Sequence, residues 1–188
     1  MNRTNLQIIR ESFGRVVYAH KTHEKDAEIS SRCRSRVKWI NIILTTLTSG
    51  ALIKIIITNQ MTFIYLSASL SAITLAFIIF QLSFNPEERA ERHRQSAKEL
   101  WYIREKYVNL MADIVDERIN DDTVTTRRNE IIEELKLIYK FAPTTSSKAY
   151  KKAQKALKIN EELTFTNDEI DQFLPDELKF KKVENHCI

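Results

Sequence analysis

Histidine side chains near the N-terminus are the first residues whose types and spacing could do chemistry. His20, His23 and Glu24 lie within five positions, and a helix would place both histidines on one face, as a metal site requires. The spacing differs from the H-E-x-x-H pattern of zinc enzymes, and no third ligand cluster lies nearby in the sequence. We therefore expect two packed, hydrogen-bonded histidines and no metal or other cofactor. Because no Ser/His/Asp or Cys/His arrangement can be assembled, we also expect no enzymatic activity.

A second set of polar side chains lies within a long apolar stretch. These hydroxyl and amide residues recur at helical spacing on two segments: Asn41, Thr45, Thr48 and Ser49, then Ser67, Ser71, Thr74 and Gln81. Small and hydroxylated residues let two membrane helices approach closely and hydrogen-bond across their interface. Alternatively, several copies assemble and these residues line a water path, because one hairpin has too few helices to enclose a channel. The sequence leaves both interpretations open.

The charge distribution indicates that this stretch lies in a membrane. The 188 residues include 29 Lys and Arg and 25 Asp and Glu, yet the 47 residues of 39–85 contain one charge, Lys54. That length suffices for two spans of about 20 residues each, which we place at 37–57 and 63–84 with a turn at 58–62. Lys54 lies near the end of the first span, where it either extends its ammonium to the interface or stands at a pore mouth.

Basic residues flank both spans and predict the orientation. The flanking residues are Arg32, Arg34, Arg36 and Lys38 before the first span, and Arg89, Arg92, Arg94 and Lys98 after the second. Because Lys and Arg accumulate on the cytoplasmic side, we expect a two-span protein of the bacterial inner membrane with both termini in the cytoplasm. Cys33 and Cys187 would then be free thiols in a reducing compartment.

The segments outside the membrane are predicted to be helices. The chain has two glycines and many Ala, Leu, Ile, Glu and Lys residues, which favours an all-α fold. We expect an amphipathic cytoplasmic helix over 1–36, the transmembrane hairpin over 37–84, and a cytoplasmic helical bundle and tail over 85–188. Within the last region the expected helices are 86–118, 124–141, 147–163 and 167–174. Their apolar stripes should pack together beneath the hairpin.

One of these predicted helices carries a basic face. Its lysines are Lys148, Lys151, Lys152, Lys155 and Lys158, opposite Ala149, Ala153 and Ala156. Such a face is solvated in most proteins; otherwise it binds anionic lipid headgroups or a phosphate-bearing signal. The net charge of +4 originates in residues 1–38, with nine basic and four acidic side chains, whereas residues 86–188 have 19 and 21. We therefore do not expect direct nucleic-acid binding.

With this layout the chain resembles the SLATT proteins, two-span effectors of bacterial conflict systems that use nucleotide second messengers. The matching segments are YAHKTHEK (18–25), WINI (39–42), QLSFNPEE (81–88), HRQSAKELWYIREKY (93–107) and APTTSSKAYKKAQ (142–154). They extend over nearly the whole chain. The chain looks most like the branch whose genes often lie beside reverse transcriptases.

The resemblance implies a pore-forming effector of antiviral defence that kills or arrests an infected cell. It implies a homo-oligomer in the lipid bilayer and a separate sensor or signal-producing protein, such as a reverse transcriptase or the source of a nucleotide second messenger. The family supplies no catalytic residues to transfer. A non-conducting membrane anchor that recruits a cytoplasmic defence enzyme is the alternative.

Overall fold

The computed structural model describes residues 3–58 and 60–172, and every regular element in these ranges is a helix. The helices are α1 (Arg3–Thr58), α2 (Met61–Phe84), α3 (Pro86–Val115), α4 (Asp121–Phe141), α5 (Ser147–Lys158) and α6 (Asn167–Asp171). The all-α prediction is thus confirmed for these ranges. The expected free thiol of Cys187 lies outside the described residues, whereas Cys33 is a free, exposed cysteine.

The long helix α1 joins the bundle to the hairpin without a break. It has 56 residues, so that the amphipathic segment and the first predicted span form one continuous rod. Helix α2 already begins at Met61, which makes the turn shorter than the predicted 58–62. Asn85 alone separates α2 from α3, and its side chain accepts a hydrogen bond from the Glu88 backbone N–H at 3.2 Å. Asn85 therefore caps α3, and Pro86 lies in the first turn of that helix.

The two apolar helices pack against each other along one face. The sheltered positions alternate in steps of four and three: Val37, Asn41, Leu44, Thr48, Ala51 and Ile55 on α1, and Phe63, Ser67, Leu70, Thr74, Phe77 and Gln81 on α2. This spacing is that of an antiparallel coiled coil. Large apolar residues cover the rest, with Ile56 84% and Leu82 79% exposed. An outer surface of this kind is suited to lipid rather than water.

The bundle has its core between α1 and α3. Ile9 and Val16 of α1 pack with Leu100, Ile103 and Tyr107 of α3, and each of these side chains is at most 2% exposed. Helix α4 covers one side of this core through Val124 and Ile131. Helix α5 packs on α1 and buries Ala149, Ala153 and Ala156 completely or nearly so. The predicted bundle is therefore present, with α1 at its centre.

Several helix ends differ from the sequence prediction, among them that of α3, which ends at Val115 rather than at 118. Helix α4 starts three residues early, since Asn120 accepts from the Thr123 N–H at 2.8 Å. Helix α5 ends at Lys158 rather than 163, shortly before Glu161 with its left-handed φ of 51°. Helix α6 starts at Asn167, as predicted; Thr166 is its cap, and Glu169 completes a capping box with Thr166.

Candidate functional site: a polar seam and flank in the apolar hairpin

The two amides in the hairpin form a side-chain hydrogen bond between α1 and α2. Asn41 Nδ2 donates to Gln81 Oε1 at 2.9 Å, across 40 positions of sequence. Asn41 Oδ1 and Gln81 Nε2 are buried and have no hydrogen-bond partner among the described residues. Each amide is therefore half satisfied within one chain. An unpaired amide atom at membrane depth carries a free-energy cost, which a neighbouring helix or water can remove.

Three of the predicted hydroxyl residues also lie in the interface between α1 and α2. Thr48, Thr74 and Ser67 are sheltered there, and their hydroxyls donate to backbone carbonyls of their own helices at 2.8, 2.8 and 3.0 Å. A hydroxyl satisfied in this way needs no water. Its small side chain still lets the helices approach closely. These residues therefore act as packing positions within the single hairpin. We call Thr48, Ser67 and Thr74, together with the amide pair Asn41 and Gln81, the polar seam.

The remaining three hydroxyl residues lie on the outer surface. Thr45, Ser49 and Ser71 are exposed, unlike Asn41 and Thr48. At 100° per residue, Thr45 and Ser49 follow the interface positions of α1 on one flank. In an antiparallel pair the positions that follow the interface of both helices share a side, so that Ser71 lies on that same flank. We call Thr45, Ser49 and Ser71 the hydroxyl flank.

Charged and aromatic side chains mark the end of the hairpin next to the bundle. The predicted basic residues there are exposed: Arg32, Arg34, Arg36 and Lys38 on α1, and Arg89, Arg92, Arg94 and Lys98 on α3. Arg34 pairs with Glu87 at 2.8 Å, which ties α1 to α3 at this level. Trp39 is 64% and Phe84 67% exposed, as expected for side chains at a membrane interface. Lys54 is exposed near the opposite end of α1.

A buried histidine cluster lies in the bundle below this boundary. His23 Nδ1 and His93 Nδ1 are 3.0 Å apart, and His20 Nε2 lies 3.6 Å from Glu24 Oε1. The three histidines are at most 5% exposed. Burial and the charge of His93 lower the pKa of His23 to about 4, and burial also lowers the pKa values of His20 and His93. All three are therefore neutral near pH 7.

The three histidines of the cluster are buried within the described part of the bundle. Residues 3–58 and 60–172 contain no group of three or more His, Cys, Asp or Glu arranged to hold a metal ion. His20 and His23 were expected to be packed, but His93 joins them from 70 positions away, which their local spacing does not reveal. His93 lies one helical turn before Ala97 on the apolar stripe of α3, and this periodicity predicts that the His93 side chain is buried.

An aspartate holds helix α5 against α1. The Asp26 carboxylate accepts from both the backbone N–H and the hydroxyl of Ser146 at 2.7 Å each, and Asp26 is 3% exposed. Ser146 in turn caps α5 by accepting from the Ala149 N–H. This contact joins residues 120 positions apart, so the sequence around neither residue indicates it. With α5 held against α1 in this way, the predicted lysine face of α5 is turned towards solvent. Exposed residues there are Lys148, Lys151, Lys155 and Lys158, and Lys152 is half-buried.

Comparison with known protein families gives a match over most of the chain. A family model described as "SMODS and SLOG-associating 2TM effector domain family 4" matches residues 6–169. The matched region includes both apolar helices and the bundle. Comparisons with curated proteins and with solved structures found no match.

Proposed function

The chain belongs to the SMODS and SLOG-associating 2TM effector domain family 4, and from that premise we propose that several copies assemble in the bacterial inner membrane and open a conducting path. Two of its helices are long and apolar enough to cross a membrane, in agreement with the 2TM description. The protein is thus a two-helix membrane effector domain of conflict systems. Pore formation, self-association and antiviral action are the proposed extension.

The hydroxyl flank is the observation that carries this proposal. Thr45, Ser49 and Ser71 lie outside the hairpin's own interface, on a surface that is otherwise mostly apolar. A single pair of helices cannot enclose water, so a polar flank becomes useful when copies arrange these flanks around a common axis. The other five predicted residues, in the interface of the hairpin, support its packing rather than the path.

The half-satisfied amides support self-association independently. Asn41 Oδ1 and Gln81 Nε2 lack partners among the described residues, and a neighbouring copy could supply one donor and one acceptor. Interhelical hydrogen bonds of this kind contribute about 0.6–2 kcal/mol each in membranes. The amide pair would therefore couple the packing of one hairpin to its contact with the next.

The proposed orientation places the bundle in the cytoplasm, where a separate sensor or signal-producing protein would act on it. Basic residues on both chain segments leaving the hairpin favour this side. A signal opens the assembly only if it binds the open and closed states with different affinity. The bundle, joined to the first span through the continuous helix α1, is the part of the protein that can make such a distinction.

Purified protein tests the proposal directly. The mass of the complex in detergent should exceed that of one chain, and vesicles containing the protein should release an entrapped dye. The Asp26→Ala variant, in which α5 loses its anchor, should release the dye faster than the wild type if the bundle restrains the hairpins. A single-chain mass together with intact vesicles for both proteins would contradict the proposal and favour a non-conducting anchor.

A further inference from the structure

A lysine at the bundle end of the hairpin lies on the same side as the hydroxyl flank. Lys38 directly follows the interface position Val37, and it lies seven positions before Thr45 of that flank. Seven residues make almost two turns of an α-helix, so Lys38 stands in line with the hydroxyl flank, about 10 Å closer to the bundle. Its side chain is exposed in the single chain. Copies arranged with their hydroxyl flanks around a common axis would therefore bring their Lys38 side chains together at one end of that axis.

Two other basic residues close to the membrane lie on the opposite flank. Arg36 and Lys54 each come one position before an interface residue of α1, whereas Lys38 comes one position after such a residue. At 100° per residue, a difference of two positions turns a side chain to the other side of the helix. This placement does not support Lys54 as the charge at the mouth of the proposed path.

Acidic side chains do not offset the charge of Lys38. The sequence has no Asp or Glu between Glu28 and Glu87, a stretch that includes both spans. Each of these two glutamates is paired with an arginine: Glu87 lies 2.8 Å from Arg34, and Glu28 lies 3.3 Å from Arg32. Within the described residues, each copy therefore adds to the bundle end of the flank one positive charge, that of Lys38, with no carboxylate beside it.

The hydroxyl groups farther along the flank are available to a solute. Thr46 and Ser69, on other faces of the hairpin, donate to backbone carbonyls of their own helices at 2.7 and 2.8 Å. In contrast, the hydroxyls of Thr45, Ser49 and Ser71 form no hydrogen bond with any residue that the structure describes. A hydroxyl group can donate a hydrogen bond to an anion. The flank thus offers an ammonium group followed by hydroxyl donors.

We propose that the conducting path selects small inorganic anions over cations, with one Lys38 ammonium from each copy forming a ring at the mouth next to the bundle. Rings of Lys or Arg favour anions in pores because they attract anions and repel cations. The field of each charge extends about 8–10 Å at physiological ionic strength, so a ring around a narrow mouth acts on every ion that passes. This inference deepens the proposed function and rests on it, because only an open path has a selectivity.

The same lysine could instead serve only to fix the orientation of the hairpin. In that role its ammonium contacts lipid headgroups, and any exposed face of the helix at this depth is suitable. Replacing Lys38 would then change membrane insertion but leave the ion preference of the path unchanged. The two roles therefore predict different results for the same substitution.

Recordings in planar bilayers of zwitterionic lipid test the selectivity, since these bilayers carry no net charge of their own. The full-length protein is added in a tenfold gradient of KCl, and the potential at which the current reverses gives the ratio of chloride to potassium permeability. We expect the wild type and the Asp26→Ala variant, in which α5 loses its anchor, to favour chloride about fivefold or more. Lys38→Gln should bring the ratio close to one, and Lys38→Arg should preserve it. Arg36→Gln, at nearly the same depth on the opposite flank, is the matched control and should keep the wild-type ratio.

Charge added after folding tests the same position without depending on how a variant folds. In a Cys33→Ser, Cys187→Ser background, the Lys38→Cys variant is treated in the bilayer with a cationic or an anionic methanethiosulfonate reagent. The cationic reagent should restore the preference for chloride, and the anionic reagent should reverse it in favour of potassium. The same reagents applied to Arg36→Cys should leave the permeability ratio unchanged.

The possible failures of this proposal and of the conducting path are distinguishable. A wild-type current that prefers potassium, or neither ion, would overturn the anion selectivity and leave the path standing. Equal permeability ratios for Lys38→Gln and the wild type would do the same, as would equal shifts from the reagents at positions 36 and 38. No current from either the wild type or Asp26→Ala would contradict the conducting path itself, and its selectivity with it.

Discussion

Asn41 and Gln81 are hydrogen-bonded across the hairpin at 2.9 Å, at the end that adjoins the bundle. This bond defines the register of α1 against α2: seven residues farther into the hairpin on each helix, Thr48 lies level with Thr74. A shift of one position would turn the amides out of the interface and bring larger side chains into it. The pair therefore specifies one alignment of two otherwise apolar helices.

Removing one amide of this pair should destabilise the hairpin more than removing both. Asn41→Leu leaves Gln81 buried without its donor and should cost about 1–3 kcal/mol, whereas the double variant with Gln81→Leu should recover part of that loss. We expect a coupling energy of about 0.6–1.7 kcal/mol. Unfolding in mixed detergent micelles measures all four states of this double-mutant cycle. Additive losses would show that the bond contributes no coupling.

The hydroxyl flank should determine permeability without affecting insertion. The Thr45→Leu, Ser49→Leu double variant should lower dye release from vesicles tenfold or more, because the proposed path would lose its polar lining. The matched control is Thr46→Leu with Ser69→Leu, which changes two exposed hydroxyl residues away from that flank and should release dye like the wild type. An equal loss of dye release in both double variants would contradict the proposal that Thr45 and Ser49 line the path.

The topology can be tested by thiol labelling. In the Cys187→Ser background, Cys33 should resist a membrane-impermeant maleimide in spheroplasts, because we expect it to face the cytoplasm. A Gln60→Cys variant, at the turn between the spans, should react under the same conditions. Permeabilised cells provide the control in which Cys33 reacts, since it is exposed. Labelling of Cys33 from outside would reverse the predicted orientation.

Acid should loosen the contact between α1 and α3. His23 has a pKa of about 4 in the folded protein, whereas an unfolded histidine titrates near 6.5. Between these pH values the unfolded state binds more protons than the folded state. The contribution of neutral His23 to the free energy of unfolding is therefore fully present above about pH 6.5 and is lost as the pH falls towards 4. We expect a loss of about 1–2 kcal/mol between pH 7.5 and 5.

The charges around the cluster act in opposite directions. Asp26 favours protonation of His23 and His93. His93 and His20 oppose protonation of His23, and Arg89 opposes that of His93. Thermal unfolding at a series of pH values measures the net result. A His23→Gln variant should show a flatter pH profile than the wild type, and an unchanged profile would assign the effect to other groups.

Helix α5 should detach when Asp26 is replaced. The Asp26→Ala variant loses two hydrogen bonds from Ser146 to a buried carboxylate, and each charge-assisted bond contributes about 1.5–3 kcal/mol. Protease cleavage in the segment 142–147 should become at least tenfold faster. Asp122→Ala, at an exposed position in the first turn of α4, is the control and should be cleaved at the wild-type rate. Equal cleavage rates for the two variants would exclude Asp26 as the anchor.

The helices could be predicted because their determinants are local. Asn85 and Pro86 start α3 through bonds within one turn, and the uncharged stretch defines the spans by length alone. The bundle was expected for the same reason, since apolar stripes appear as short-range periodicity. The predicted ends of α3, α4 and α5 differ from the observed ones by only three to five residues.

The contacts that define the candidate sites were harder to predict because they join distant residues. Nothing near His23 or Asp26 indicates that His93 and Ser146 will contact them. The division of the polar residues between the polar seam and the hydroxyl flank could be predicted in part from the sequence. Ser67, Thr74 and Gln81 recur every seven residues, whereas Thr45 and Ser49 do not continue such a repeat. A seven-residue repeat shows which side of its helix a residue occupies. Which residues of other helices it contacts is known only from the fold.

The two connections between hairpin and bundle differ in stiffness. On one side, α1 continues without interruption for about 84 Å; on the other, Asn85 breaks the helix between α2 and α3. We therefore expect a rotation of α1 in the bundle to be transmitted along the whole helix, whereas the break at Asn85 allows α2 to change its angle to α3. In the proposed pore, we expect a rotation of the bundle end of α1 to change the angle between the two membrane helices.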